Sequence, residues 1–299
     1  MKLFMVANVQ ETGRYAKRYS LDKITSLLQA QIENSLEVGW TPENIIILSN
    51  VDFEFMGVKT QIAPMTDFCL TGSKIFSLKW YFENNEIKDI IWAKDADCWQ
   101  NIWFDCPEFD GDVGASQYSN PKFNGGSIFW KPSSKDIISR IVQELTENSE
   151  VSEEPTINKI FKSKEYINRV NILNYTFNVG CSGFFERFTR SEKPIHVSHF
   201  HPSNSIAWEI HALDREGIGQ IAITVRLERL LRKYYPKLAT SLVTSPELLK
   251  ELRKVRKELK KKEWEELQKL DSQKLDSQKL ESQNLLKNPT NINQDILQN

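Results

Sequence analysis

Residues 89–97 read Asp89-Ile90-Ile91-Trp92-Ala93-Lys94-Asp95-Ala96-Asp97, an apolar run that stops abruptly at two aspartates. A strand with no polar face belongs in a sheet covered on both sides, the habit of parallel sheets. Leu3-Phe4-Met5-Val6-Ala7 and Ile45-Ile46-Ile47-Leu48 have the same character. Between those two, Leu21, Ile24, Leu27-Leu28, Ile32 and Leu36 recur at helical spacing from the cap candidate Ser20 to Gly39. Ser73 to Phe82 repeats the pattern before the Asp89–Ala93 strand. Strands alternating with helical crossovers predict an α/β fold with a mostly parallel mixed sheet flanked by helices. In such sheets ligands gather beyond the carboxyl ends of the strands.

Gly126 to Trp130 and Pro194 to Ser198 add two strand candidates, and Ser134 to Glu147 and Glu154 to Phe161 two helices. Residues 1–225 therefore read as one domain. Residues 226–267 read as a basic amphipathic helical segment, with Leu248, Leu252, Val255 and Leu259 on one stripe. Residues 268–299 hold the repeat QKLDS-QKLDS-QKLES and an Asn/Gln-rich end, a low-complexity tail expected to be disordered.

The composition of the 299 residues is globular, with 40% hydrophobic and 26% charged residues and a net charge of −1. That balance hides an asymmetry. Residues 226–299 carry 17 Lys/Arg against 11 Asp/Glu, so the acidic excess lies in the body. An acidic body argues against a specific nucleic-acid partner, whereas the basic segment 246–267 suits a partner helix or an anionic membrane surface. No stretch has the length of a spanning helix, and the first residues read as a strand instead of a secretory leader. The four cysteines form no CxxC pair, which fits a reducing, cytosolic compartment.

Asp95 and Asp97, at the turn out of their strand, can converge on a hard divalent cation. His196, His199 and His201 place three of the four histidines within six residues, and imidazole favours Mn²⁺, Zn²⁺ or Fe²⁺. Phe123-Asn124-Gly125-Gly126-Ser127 is a strand entry whose missing side chains allow close approach. Ser152-Glu153-Glu154-Pro155 is an acidic helix start.

The order of these motifs resembles the GT-A class of nucleotide-sugar glycosyltransferases, nearest to the family of glycogenin and the bacterial galactosyltransferases. The likeness rests on D-x-D after a strand, F-N-x-G, an acidic helix start and a late H-F, and covers roughly residues 1–220. It implies transfer of a hexose from a nucleoside-diphosphate sugar, UDP-hexose foremost, to a glycan or other hydroxyl acceptor. It further implies Mn²⁺ or Mg²⁺ held by Asp95, Asp97 and His199, with His201 the competing ligand. By the same resemblance Ala7, Asn8, Asp52, Lys74 and Asp95 would contact the donor nucleotide. Asn124, Gly125 and Trp99 would border sugar and acceptor, with Trp103 a second aromatic platform. Glu153, Glu154 and Asp112 are the candidate catalytic carboxylates. The family's closing H-F-x-G-x-x-K-P-W is here His199-Phe200-His201-Pro202-Ser203-Asn204-Ser205-Ile206-Ala207-Trp208, without its Gly and Lys. Arg187 or Arg190 would then face the diphosphate.

Two other classes fit parts of the chain. A divalent-metal phosphoesterase or nuclease would use the aspartates and histidines together with Asp110 and Asp112. A non-catalytic binding module would act through the C-terminal helix.

Overall fold

The computed structural model describes residues 1–12, 19–65, 72–119, 122–148, 151–180, 187, 190–200, 225–235, 261 and 265. It has two compact units, Met1–Val243 and Thr244–Asn299. In the second, Lys261 and Glu265 are helical and form an ion pair at 3.8 Å.

In the first unit the elements follow as β1 (Lys2–Ala7), α1 (Leu21–Glu37), β2 (Ile45–Ser49), β3 (Glu54–Phe55), β4 (Val58–Lys59) and β5 (Gln61–Ile62). Then come α2 (Ser73–Asn84), β6 (Ile91–Lys94), β7 (Cys98–Gln100), β8 (Val113–Ser119) and β9 (Lys122–Trp130). The chain continues through α3 (Lys135–Glu147), α4 (Glu153–Phe161), β10 (Val170–Leu173), β11 (Val179–Gly180), β12 (Val197–His199) and α5 (Val225–Tyr234). The main sheet has the order β10-β8-β9-β6-β1-β2-β5. Only β9 runs against the rest, pairing antiparallel with both β6 and β8. This is the expected mostly parallel α/β architecture.

Alternation along the inner strands fills both faces. Leu3, Met5, Ile45, Ile47, Trp92 and Phe129 pack under Ile24, Leu28 and Ile32 of α1. Phe4, Ile46, Leu48, Ala93 and Ile128 pack against α2, α3 and α4 through Ile75, Leu78, Ile137, Ile141 and Ile157. Gly39 ends α1 as expected, with φ +116°, and the Trp103 ring packs over it.

The structure corrects several strand boundaries, and β9 begins at Lys122 where a strand was expected from Gly126. β6 starts at Ile91 and takes in Lys94, which pairs with Ser127. The strand expected at 194–198 is Val197–His199, and it belongs to a separate small sheet, β11-β12-β7. The first compact unit includes α5. Leu227 and Leu231 of α5 are buried against Leu27, Ala30, Trp99 and Phe200, and Arg226 donates to the Gln100 and Asn101 carbonyls at 2.9 and 2.8 Å. The stripe at Leu248–Leu259 lies outside the described residues. Among the described residues no helix is long and apolar enough to cross a membrane.

Asp112, just before β8, is part of this scaffold. It accepts from Arg169 Nε at 2.5 Å and from the Ser133 hydroxyl, while Arg169 also grips Asp136. Burial works against its charge, but Ser133 and Arg169 more than offset that and hold its pKa below the usual carboxylate value. A depressed folded pKa means that the contribution is present above the unfolded pKa and is lost as pH falls through the folded one. Asp112→Ala is expected to lower stability by about 1 kcal/mol at neutral pH, with the difference from wild type closing in acid. Urea titrations at several pH values would check it.

Candidate active site

β1 and β6 end side by side, and beyond their carboxyl ends lies a cavity of about 520 Å³. Asn8, Lys74, Asp95, Asp97, Gly125, Glu153, Glu154 and His199 all line it. Elements as far apart in sequence as β1 and β12 thus bring eight of the residues singled out above to one wall.

The D-x-D segment is a tight turn. The Asp95 carbonyl accepts from Cys98 N–H at 3.0 Å, and Asp95 N–H donates to the Gly126 carbonyl at 2.8 Å. That turn lets carboxylates two residues apart converge, where an extended strand would point them to opposite faces. β12 runs antiparallel beside β7 with His199 directly across from Cys98. His199 Nε2 therefore lies 3.3 Å from Asp97 Oδ1 and 3.7 Å from Asp95 Oδ2. Its Nδ1 faces Asn178 Oδ1 at 3.1 Å.

Cys98 Sγ belongs to the same cluster, with Asp97 and His199 donor atoms all within 4.8 Å of one another. Burial opposes the imidazolium, but the Cys98 sulfur and the Asp97 carboxylate outweigh it and raise the His199 pKa well above the ordinary value. Because burial also pushes the Cys98 thiol up, Asp97 is the decisive charge. Two carboxylates and one imidazole nitrogen form a donor set that suits Mn²⁺, and Mg²⁺ through its oxygens.

Behind the aspartates lies a charge-compensating core. Lys74 Nζ reaches Asp95 Oδ1 at 2.5 Å, the Gly125 carbonyl at 2.6 Å and Glu153 Oε1 at 3.1 Å. Burial disfavours its charge, yet Asp95 and Glu153 more than compensate and push its pKa up. Glu153 moves the other way from an ordinary carboxylate: burial raises its pKa against the pull of Lys74. Glu154 Oε2 accepts from Gly125 N–H at 3.3 Å.

Lys94 is buried under the turn, its Nζ donating to Gln31 Oε1 at 2.5 Å and to the Cys98 carbonyl at 2.8 Å, and burial lowers its pKa to about 7. Gln31 in turn donates to the Ala96 carbonyl at 2.6 Å, so α1 clamps the turn from behind. Asn8 is 7% exposed, and its Nδ2 has no hydrogen-bond partner among the described residues, although its Oδ1 accepts from Gln10.

Other candidates fall elsewhere. Ala7 is the last residue of β1, its side chain in the core, and its carbonyl accepts from Ser49 Oγ. Asp52 sits exposed beside Lys59, 3.6 Å away and outside the cavity. Asp112 is tied to Arg169, as described. Trp99 is wholly buried, its indole N–H donating to the Phe200 carbonyl, and Trp103 packs on Trp40. Asn124 is 1% exposed and braces the site from inside without lining the cavity. Arg187 is buried, with Nη1 donating to the Asn178 carbonyl, and Arg190 lies over the Tyr175 ring. His196 stacks on Phe104, away from the cavity. His201 and Trp208 lie outside the described residues. Cys98, Lys94, Gln31 and Asn178 carry no local sequence signal beyond Cys98 and Lys94 flanking the aspartates.

The paired glycines have separate jobs. A Cβ on Gly126 would sit 2.2 Å from His199 Cε1, whereas one on Gly125 would meet only ordinary contacts at 3.7 Å. Gly126 is therefore bare to admit the imidazole, while both glycines line the cavity. Gly126→Ala is expected to displace His199 and weaken Mn²⁺ binding about 10- to 100-fold, with Gly125→Ala within a few-fold of wild type. Mn²⁺ titrations of the two variants side by side would check this.

No protein-family model matches the sequence, and no curated protein matches it. Solved structures are similar in outline. The galactosyltransferase LgtC, solved with donor and acceptor sugar analogs, aligns over 84% of this chain and 100% of its own, at 14% identity and a TM-score of 0.48. The apo glycosyltransferase GlyE of Streptococcus pneumoniae aligns over 80% of this chain and 64% of its own, at 13% identity and 0.47. Mouse xyloside xylosyltransferase 1 aligns over 67% and 97%, at 11% identity and 0.42.

Proposed function

We propose that this chain is a divalent-cation-dependent glycosyltransferase that moves a hexose from a nucleoside-diphosphate sugar, UDP-hexose in the first instance, to a glycan or other hydroxyl acceptor. The observation that carries this reading is the convergence of Asp95, Asp97 and His199 Nε2 on the wall of a cavity large enough for such a donor. Mn²⁺ or Mg²⁺ bound there would stabilise the negative charge that grows on the departing diphosphate. Asn8, with a buried amide N–H group that has no partner among the described residues at the cavity wall, supplies a donor for the base or ribose.

Glu153 and Glu154 divide their work. Glu153 serves Lys74, while Glu154 stands beside Gly125 as the carboxylate for the sugar or the acceptor hydroxyl. Lys74 is engaged by Asp95, Glu153 and the Gly125 carbonyl, so it positions Asp95. In the first turn of α1, exposed Lys23 also lines the cavity and replaces Arg187 and Arg190 as the cation for the diphosphate. The phosphoesterase reading loses its additional carboxylates, since neither Asp110 nor Asp112 reaches the cavity.

A thermal-shift panel of nucleoside diphosphates and nucleotide-sugars, each with Mn²⁺, Mg²⁺ or EDTA, tests the reading. A ligand at 100 times its dissociation constant adds about 2.7 kcal/mol to the stability of the folded state. One nucleoside diphosphate is expected to raise the melting temperature only when the cation is present. Equal stabilisation in EDTA would remove the cation from the reading, and no stabilisation by any nucleotide would remove the donor.

A further inference from the structure

The turn that carries Asp95 and Asp97 leads into a strand held on one side only. β7 ends its three-stranded sheet, with β12 as its strand neighbour. Side chains meet the Cys98 and Gln100 carbonyls instead. Gln31 donates to Cys98 at 3.0 Å, and Asn34 donates to Gln100 at 3.2 Å. Gln31 also holds the Ala96 carbonyl, between the two aspartates, at 2.6 Å. Gln31 and Asn34 are neighbours on one face of α1. Both are wholly buried, so water does not stand in for either amide.

Arg226 of α5 bonds to this helix and this strand at once. Its Nη1 donates to Asn34 Oδ1 at 2.5 Å, while Nη2 donates to the Gln100 and Asn101 carbonyls at 2.9 and 2.8 Å. We propose that Arg226 is a positioning residue and α5 a latch. By fastening Asn34 of α1 to the end of β7, Arg226 fixes the segment that carries the Asp95–Asp97 turn and so sets cation affinity without lining the cavity. The effect on affinity rests on the cation-dependent reading above, but the ordering of the turn needs no cation.

Packing gives the latch a second grip. Leu227 and Leu231 are buried in a cluster with Leu27 and Trp99, and Ala96 of the turn lies against the same cluster. Leu27 also lines the cavity, so α5 bears on the back of its wall. Charge pairing does not explain where Arg226 sits: the oxygens it meets on these three residues are neutral, and Glu37 is taken by Arg229. What its planar fork supplies is a fixed spacing between α1 and β7, which a lysine's single ammonium would not reproduce. Coupling of this kind is reciprocal. If docked α5 raises affinity for the cation, bound cation must stabilise docking by the same factor. A helix that merely covers apolar surface has no such response.

Amide hydrogen exchange of the full chain, read by mass spectrometry, and Mn²⁺ affinity, read from the paramagnetic signal of the free ion, test the proposal. Without cation, Arg226→Met is expected to speed exchange over residues 94–101 about tenfold and to leave β1 and β2 as in wild type. No acceleration there, or the same acceleration throughout the sheet, overturns the positioning role. The variant is expected to bind Mn²⁺ about 5- to 20-fold more weakly. Arg229→Ala breaks an exposed pair on the same helix and should stay within a few-fold of wild type. Equal weakening in the two variants overturns the assignment to Arg226. In wild type, which needs no variant to fold, Mn²⁺ is expected to slow exchange across residues 225–234 by a similar factor, and binding without that slowing overturns the latch. Wild type that binds no Mn²⁺ would sink the cation reading, while the cation-free exchange contrast would still decide whether Arg226 orders the turn.

Discussion

Asp97→Ala is expected to lower sugar transfer by about 10³-fold or more while leaving the fold intact. The carboxylate is the closer of the two to His199 Nε2, at 3.3 Å, and its side chain is 27% exposed at the cavity wall. On the proposed reading, removing it deletes a cation ligand, and it takes away the carboxylate beside the imidazole without opening a hole in the core. A cation that stabilises a leaving diphosphate contributes several kcal/mol, and about 4 kcal/mol corresponds to a thousandfold in rate. Asp95→Ala should lose as much activity and additionally lower the melting temperature, because Lys74 then keeps only Glu153 as a charged partner. The measurement is turnover with the donor identified by the thermal-shift panel, alongside melting curves. Transfer by both variants within tenfold of wild type would mean that the aspartates hold no cation needed for the reaction.

The sequence and the structure agree where local pattern is strong. β1, β2 and β6 are legible because a run apolar on both faces has few homes other than the middle of a covered sheet, and α1 because its apolar residues recur at helical spacing. β8 and β10 are not: Val113-Gly114-Ala115-Ser116-Gln117-Tyr118-Ser119 has no apolar alternation, and β10 is an edge strand whose Ile172 is exposed. Their pairing is decided by partners distant in the chain. The same distinction runs through the site. Asp95, Asp97, Glu153 and His199 announce themselves by residue type and by position at a strand or helix end.

Residues that act through others are silent in sequence. Asn178 finds Asn124 54 positions away, and Gln31 reaches a turn 65 positions along the chain. Two of the candidates that lie outside the cavity do so for a similar physical reason. Trp99 and Asp112 have side chains that suit a sugar or a proton transfer, but the core and Arg169 already use them.

Lys74→Met should produce the largest loss of stability of any single change at the site. The Lys74 side chain is 11% exposed and that of Glu153 13%, so the substitution leaves a buried carboxylate without its cation. Removing one member of a buried pair typically costs about 3–5 kcal/mol, chiefly through the charge left behind. The same change frees Asp95 from its 2.5 Å contact, so transfer should fall together with stability. Adding Glu153→Gln removes the stranded charge, and Lys74→Met/Glu153→Gln is expected to recover about half of the stability but little of the activity, since Asp95 is still unheld. Paired denaturant titrations and turnover measurements on the single and double variants separate the two effects. Recovery of both in the double variant would show that Lys74 only neutralises Glu153; recovery of stability alone assigns it the further task of holding Asp95 at the site.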